Sequence, residues 1–337
     1  MARADVSTAV AALRAGGPVV LHGDRGELAG DHHLLLAAEL ATPHEVAFMV
    51  RHTSGFLRAI LTQADADRLG LPLMYSSTHR TSYAVAVDAS DNVTTGISAT
   101  DRATTLRTLA DPDTVAAQLR RPGHVIPVRA NDQGLIGRPG YAEAVVDLMR
   151  IAGLRPAGAL SELVGEDGTP VTVGQRDEFC RTYEMPVVSV AAVLEHRLDR
   201  ESFVERTHES NLVVAGTPLR LVGFRSRLGG HTHLAVCVGR PDPDEALPLH
   251  IVRSGSPAID AAGPDSAVVV YLNPAEGSES DCAATLHAGT LESMLVEQIL
   301  VDLGVRQVRQ TTEIGTLLAT HPWTRVTPLA TGLRCSA

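Results

Sequence analysis

Three short segments gather most of the side chains able to do chemistry. They are Thr94-Thr95-Gly96-Ile97-Ser98 with Asp101 and Arg102 following, then Arg121-Pro122-Gly123-His124, then Arg138-Pro139-Gly140-Tyr141. In each Arg-Pro-Gly, proline and glycine turn the chain so that backbone amides can face an anion, while the guanidinium offers a bidentate donor. That combination suits a sugar phosphate. Arg-Pro-Gly turns also occur as plain surface features, so spacing alone leaves both readings standing. His124 is likewise either a general base or a loop imidazole held by a carbonyl. Glu162 lies in the apolar run Ala159-Leu160-Ser161-Glu162-Leu163, where an unpaired carboxylate is costly, so it calls for a partner or a task. His22, His32 and His33 crowd a polar stretch over residues 22–33. They read either as an imidazole site for a transition metal or as solvent-exposed loop residues.

The elements that must hold these groups are read from apolar periodicity and from stop signals. Residues 6–16 have helical spacing and end at Gly16-Gly17, after which 18–21 reads as a strand. The loop 22–33 leads to a second apolar segment, 34–40, and Thr42-Pro43 opens a helix with Thr as N-cap and Pro in its first position. Residues 82–88 alternate as a half-buried strand, Asp111-Pro112 caps a further helix, 141–152 is helical and 187–194 is a buried stretch. The polar segment 196–210 reads as a connection between domains. Beyond it, 219–224, 234–238, 250–252 and 267–272 read as strands, and 290–303 as a helix stopped by Gly304. Strands and helices mixed without a strict βαβ repeat predict two α+β domains, over residues 1–200 and 201–337.

Composition narrows the function classes. A chain of 337 residues with 44% hydrophobic and 20% charged residues can bury a core in each half and is not a disordered protein. The net charge of −10 argues against nucleic acid as a partner, because phosphate backbones need a clustered basic surface. A small anionic substrate needs only a few arginines, and all 29 basic residues are arginine. Cys180, Cys237, Cys282 and Cys335 are far apart with no CxxC pair, which predicts reduced thiols and no structural zinc. No apolar run is long enough to span a membrane and no secretory signal opens the chain, so a cytoplasmic protein is expected.

Longer segments make the sequence recognisable. Residues 37–55 (AAELATPHEVAFMVRHTSG), 93–105 (VTTGISATDRATT), 121–130 (RPGHVIPVRA), 138–164 (RPGYAEAVVDLMRIAGLRPAGALSELV) and 186–197 (PVVSVAAVLEHR) resemble 3,4-dihydroxy-2-butanone 4-phosphate synthase, over nearly all of residues 8–197. The resemblance implies conversion of D-ribulose 5-phosphate to dihydroxybutanone phosphate and formate with Mg²⁺ or Mn²⁺. It also implies a homodimer with shared sites. An acid/base pair would make and shuffle an enediol while the cation polarises neighbouring oxygens. By motif, His124 and Glu162 match the essential His and Glu. Arg138 and Gly140 match the sugar-phosphate clamp, with Tyr141 and Ala142 continuing that substrate turn. Arg25 and Asp31 fall in the substrate-binding acidic loop.

The sequence also departs from the family. The second turn normally reads RPGHT with a metal-binding His, and here that position is Tyr141, a poor ligand for a hard cation while its hydroxyl is neutral. The acidic loop, normally DRENEGD, is one residue longer, with Gly26 at the ligand position, which leaves Glu27 as the expected metal carboxylate. In the second half, 219–239 (LRLVGFRSRLGGHTHLAVCVG), 267–277 (AVVVYLNPAEG) and 297–312 (EQILVDLGVRQVRQTT) resemble GTP cyclohydrolase II. The matching zinc region, 250–263, contains no Cys, and Ser278 stands where an Arg is expected. A degenerate domain without zinc or cyclohydrolase activity follows. Three functions remain open: the family's lyase reaction, a diverged reaction of a pentulose phosphate, and a catalytically inactive partner of an active paralogue.

Overall fold

In the computed structural model of the chain, residues 6–23, 28, 30–74, 82–214, 216–227, 230–239, 246–253, 266–273, 282–305, 307–310 and 325–327 are described. Arg25, Glu27, Ser278 and most of the cysteine-free region 250–263 therefore lie outside the described residues. The chain divides into two compact units, Met1–Asp199 and Arg200–Ala337.

The first unit runs α1 (Val6–Arg14), β1 (Val19–His22), β2 (His32–Ala37), α2 (Pro43–His52), β3 (Arg58–Thr62), α3 (Gln63–Arg68), β4 (Val87–Ala89), α4 (Ala99–Ala110), β5 (Leu119–Ala130), α5 (Tyr141–Ile151), β6 (Gly158–Glu162), α6 (Val173–Thr182), β7 (Val187–Ser189) and α7 (Val190–Leu198). Its sheet has the order β4-β5-β3-β6-β2-β1-β7, with β3·β5 and β1·β7 parallel and the other pairs antiparallel. Period-two alternation splits each strand between two cores. Leu34, Leu36, Ala59 and Leu61 pack under Val46 and Met49 of α2 and Leu106 and Leu109 of α4. Leu35, Ile60 and Leu160 pack under Leu13, Val145, Leu148, Met149 and Val193 from α1, α5 and α7. Covered on both faces, β2 is buried along its whole length. Side-chain caps fix where the helices start: Thr42, Ser98, Thr172 and Ser189 each accept an amide N–H three residues on.

The second unit has β8 (Val204–Val214), β9 (Thr217–Ser226), β10 (Thr232–Val238), β11 (Leu247–Arg253), β12 (Ala267–Leu272), α8 (Cys282–Leu303), β13 (Gln307–Gln310) and β14 (Arg325–Thr327). They form a second seven-stranded sheet, β14-β13-β11-β12-β10-β9-β8. Both units are α+β, as expected.

Several local expectations need correction. His32 and His33 are not loop residues: they open β2, register with His22 and Leu21, and are 2% and 3% exposed, which overturns the solvent-exposed reading. Asp111-Pro112 opens no α-helix. Asp111 closes α4, and its carboxylate accepts the Asp113 N–H in a tight turn before a short 3-10 segment, Ala116–Gln118. The alternating stretch 82–88 yields only β4 at its end, with Tyr83 and Ala84 making single bridges to Val128 and Leu73. The buried run 187–194 splits where Ser189 caps α7. That helix and β8 consume most of 196–210, leaving only 199–203 between them. The last helix begins at Cys282 rather than residue 290.

Candidate active site

His124 owes its position to a register shift. Val87 pairs with Val125 but Asp88 pairs with Arg120, so the chain between them bulges from β5 toward β4. The Asp88 carboxylate spans the bulge, accepting the His124 backbone N–H at 2.8 Å and meeting Nδ1 at 2.7 Å. An ionised carboxylate only accepts, so Nδ1 carries the proton and Nε2 is left free as a base. Side-chain exposure of 39% for His124 against 9% for Asp88 puts the imidazole at the surface of the site with its anchor beneath. The segment 94–98 closes over this pair. Gly96 has φ of +89°, and a Cβ there would meet both the Asp88 carboxylate and His124 Nδ1, so glycine is required for conformation and for space. Asp101 pins the loop by accepting from Thr94 N at 3.1 Å, Thr94 Oγ1 at 2.8 Å and Gly96 N at 3.0 Å, and Ser98 caps the helix that carries it. Arg102 is buried in the same group. Burial holds its guanidinium below the usual range, and the nearby Asp88 charge opposes that shift.

Glu162 ends β6, opposite His33 of β2. One row back, Arg58 at the start of β3 pairs with Leu160 of β6 on one side and Ile126 of β5 on the other. Glu162 therefore lies on the face of Arg58, one row on, and His124 lies two residues before Ile126 on the other side of β3, its strand two strand spacings, about 10 Å, from β6. Tyr141, the first residue of α5, comes over this face. Its ring stacks on His33 at 4.3 Å and 22°, and its hydroxyl donates to the carbonyls of Leu28 at 2.8 Å and Asp31 at 3.3 Å. Burial, then the Asp31 charge, push the phenol well above its ordinary value, so it stays a neutral donor. Burial, then Arg58, push His33 down to about 3, so it is neutral too. Asp31 is raised by burial, with Arg58 opposing.

Arg138 is placed differently from its expected partners. Its Nε and Nη2 donate to Glu143 Oε1 at 2.9 and 2.5 Å, and Nη2 also reaches the Arg129 carbonyl at 3.3 Å. Glu143, 1% exposed, accepts the Asn131 N–H as well. Gly140 has no room for a Cβ against the Glu143 carboxylate. Arg138 and Arg129 line a cleft of about 130 Å³ with Gln63, Leu73, Ser82, Ala130 and Asn131, and neither His124 nor Glu162 borders it. Ala142 packs against the core under α5. Among the described residues no three His, Cys, Asp or Glu side chains are grouped to hold a metal ion. Tyr141 is occupied with backbone carbonyls, and Glu27 lies outside the described residues.

Residue reading missed Asp88, Glu143 and Arg58. Asp88 closes an alternating run, and Arg58 is the one charge in the strand Arg58–Thr62. Those were the available signals.

A carboxylate-held imidazole and a glutamate on strands either side of β3, with a separate two-arginine cleft, are groups able to move protons and to bind a small anion in an α+β fold. A family model for 3,4-dihydroxy-2-butanone 4-phosphate synthase matches residues 7–196, and the chain belongs to that family. The riboflavin biosynthesis protein RibBA of Nocardia farcinica is 37% identical over 95% of this chain and 86% of its own length. The RibBA of Salinispora arenicola is 45% identical over 69% of this chain, and the match spans just over half, 56%, of that relative. Among solved structures, RibBX, a two-domain 3,4-dihydroxy-2-butanone 4-phosphate synthase from A. baumannii, is 25% identical and covers 96% of this chain and 99% of its own, with a TM-score of 0.74. A 3,4-dihydroxy-2-butanone 4-phosphate synthase in complex with two magnesium ions is 35% identical over 58% of this chain and 97% of its own, with a TM-score of 0.53.

Proposed function

We propose that the protein is a lyase of the synthase type, converting D-ribulose 5-phosphate to 3,4-dihydroxy-2-butanone 4-phosphate and formate and so supplying a riboflavin precursor. The observation that carries this reading is the Asp88–His124 pair, with Glu162 on the strand at the other side of β3. Neutral His124 takes the proton from the carbon beside the ketone and returns it later. Asp88 holds the ring in one tautomer and steadies the imidazolium formed in between. Glu162, about two strand spacings away, exchanges protons with the hydroxyls at the other end of the enediol. Arg25 and Asp31 bind the sugar, and Arg138 with the Gly140-Tyr141-Ala142 turn grips the phosphate. For that, Arg138 must exchange its Glu143 contact for the phosphate.

Mg²⁺ or Mn²⁺ is the cofactor in this reading, and its fit to the described donors is incomplete: Tyr141 is committed to the Leu28 carbonyl, leaving Asp31, Glu162 and, by sequence, Glu27. When bound, such an ion would polarise adjacent substrate oxygens. The second unit, residues 201–337 in this reading, is a GTP cyclohydrolase II-like domain without cyclohydrolase activity and without zinc, serving folding or assembly of a cytoplasmic homodimer. No helix among the described residues is long and apolar enough to cross a membrane.

Purified protein incubated with ribulose 5-phosphate and either Mg²⁺ or Mn²⁺ is expected to release formate. No formate with either ion would sink the reading. The committed Tyr141 hydroxyl favours one rival, a diverged reaction of a pentulose phosphate, for which substrate would disappear without formate. A catalytically inactive partner of an active paralogue would bind neither metal nor sugar phosphate in calorimetry.

A further inference from the structure

Resting on that reading, we infer that Arg58 is a substrate-binding residue that receives the negative oxygen of the enediolate as it forms. Arg58 stands at the start of β3, the strand between the one carrying His124 and the one carrying Glu162: register puts Glu162 on its face, and His124 is two residues before its β5 partner, Ile126. Its Nε is buried and has no hydrogen-bond partner, and among the described residues its guanidinium makes no hydrogen bond or ion pair. Arg138 is engaged by Glu143 and Arg129 by Asp67, while Arg102, whose Nε is likewise buried without an acceptor, lies beside the Asp88 charge.

A partly buried guanidinium that gives up hydration without gaining an acceptor is held at a cost, and an anion arriving there recovers it. The surrounding groups make that cost deliberate in kind. Asp31, His33 and Tyr141 all feel the Arg58 charge. Arg58 is absent from the lining of the Arg129–Arg138 cleft, so its place is with the proton-moving groups rather than the phosphate. There, charge appears only when His124 has removed the carbon-bound proton. A fixed planar donor at that spot stabilises the enediolate more than the ketone.

The test uses the full chain, Arg58→Met and Arg58→Lys, and two probes: ribulose 5-phosphate, and a phosphorylated hydroxamate that mimics the planar enediolate. Arg58→Met should lower kcat by about 100-fold or more, the scale seen for loss of one oxyanion donor, with KM nearly unchanged. Hydroxamate affinity should fall by a similar factor and affinity for inorganic phosphate should hold, while Arg58→Lys recovers part of the loss. Wild-type kcat and hydroxamate affinity in Arg58→Met would overturn the assignment. So would equal loss of hydroxamate and phosphate binding, which marks a structural role. If the wild type releases no formate, the lyase reading fails alone. The hydroxamate comparison then still decides Arg58, since equal binding by wild type and Arg58→Met removes it.

Discussion

The two seven-stranded sheets bury polar groups to different ends. In the first unit, Asp88, Asp101, Arg102, Glu143 and Asp147 are all under 9% exposed, and each of the four carboxylates accepts a backbone N–H from a loop, turn or bulge. In the second unit the buried polar residues among those described are Ser226, His233 and Ser293, while β8 leaves most of its side chains in solvent, Val213 at 73%. Its charges, Arg206, Glu209, Arg220 and Asp302, pair with one another at the surface. Buried polar networks are costly unless fully satisfied, so their concentration in one unit marks where the fold spends stability on geometry. The comparison teaches that an identical strand count says little about chemistry.

The largest effect that can test this contrast is on turnover. His124→Asn removes the base and Asp88→Asn removes its anchor. Each is expected to cut formate release by 100-fold or more, on the order of what general-base loss costs, with the circular dichroism spectrum unchanged. Activity near wild type in either variant would separate the dyad from the reaction.

Next comes stability. The Asp147 carboxylate, 0% exposed, accepts from Arg197 at 3.0 and 3.1 Å and from the Leu135 N–H at 2.8 Å. Asp147→Ala removes the buried anion from Arg197 and the acceptor from the Leu135 N–H, and denaturant unfolding should show a loss of about 3–5 kcal/mol.

A third, smaller effect is set by pH. His33 titrates at about 3 in the fold because it is buried, against about 6.5 when unfolded. A depressed folded value means that stability is intact above pH 6.5 and is lost as pH falls from there toward 3. One proton gives a slope of about 1.4 kcal/mol per pH unit. His33→Gln should flatten the unfolding free energy over that window. An unchanged slope would locate the acid sensitivity elsewhere.

The smallest effect is predicted in the second unit. Val213→Lys on exposed β8 should move the unfolding free energy by no more than about 0.5 kcal/mol and leave formate release untouched. A larger change would show that this surface is covered in solution, and the contrast between the units would need revision.

Some helices were legible because their signals are local: Thr42 before Pro43 and Gly304 after Leu303 act within one turn of chain, whereas α4 behind Ser98 was not foreseen. His124 and Glu162 were legible because they sit in long ordered motifs. The errors arose where neighbours distant in sequence overrule local pattern. His32 and His33 look like loop residues until β1 and β6 flank them, and residues 82–88 alternate like a strand yet find a ladder partner only at their end.

By itself, then, the sequence determined two α+β halves, the family of the first, the arginine-bearing turns and a stretch, 250–263, without cysteine in the second. Only tertiary structure decided which groups lie together. Asp88 and His124 are 36 residues apart and meet through a bulge. Tyr141 reaches the Leu28 carbonyl across 113 residues. Arg58 pairs with Ile126 and Leu160, on the strands that carry His124 and Glu162. Strand register is set by the burial of whole faces rather than by any residue's own preference, and for that reason no reading of the chain in one dimension could have placed these groups side by side.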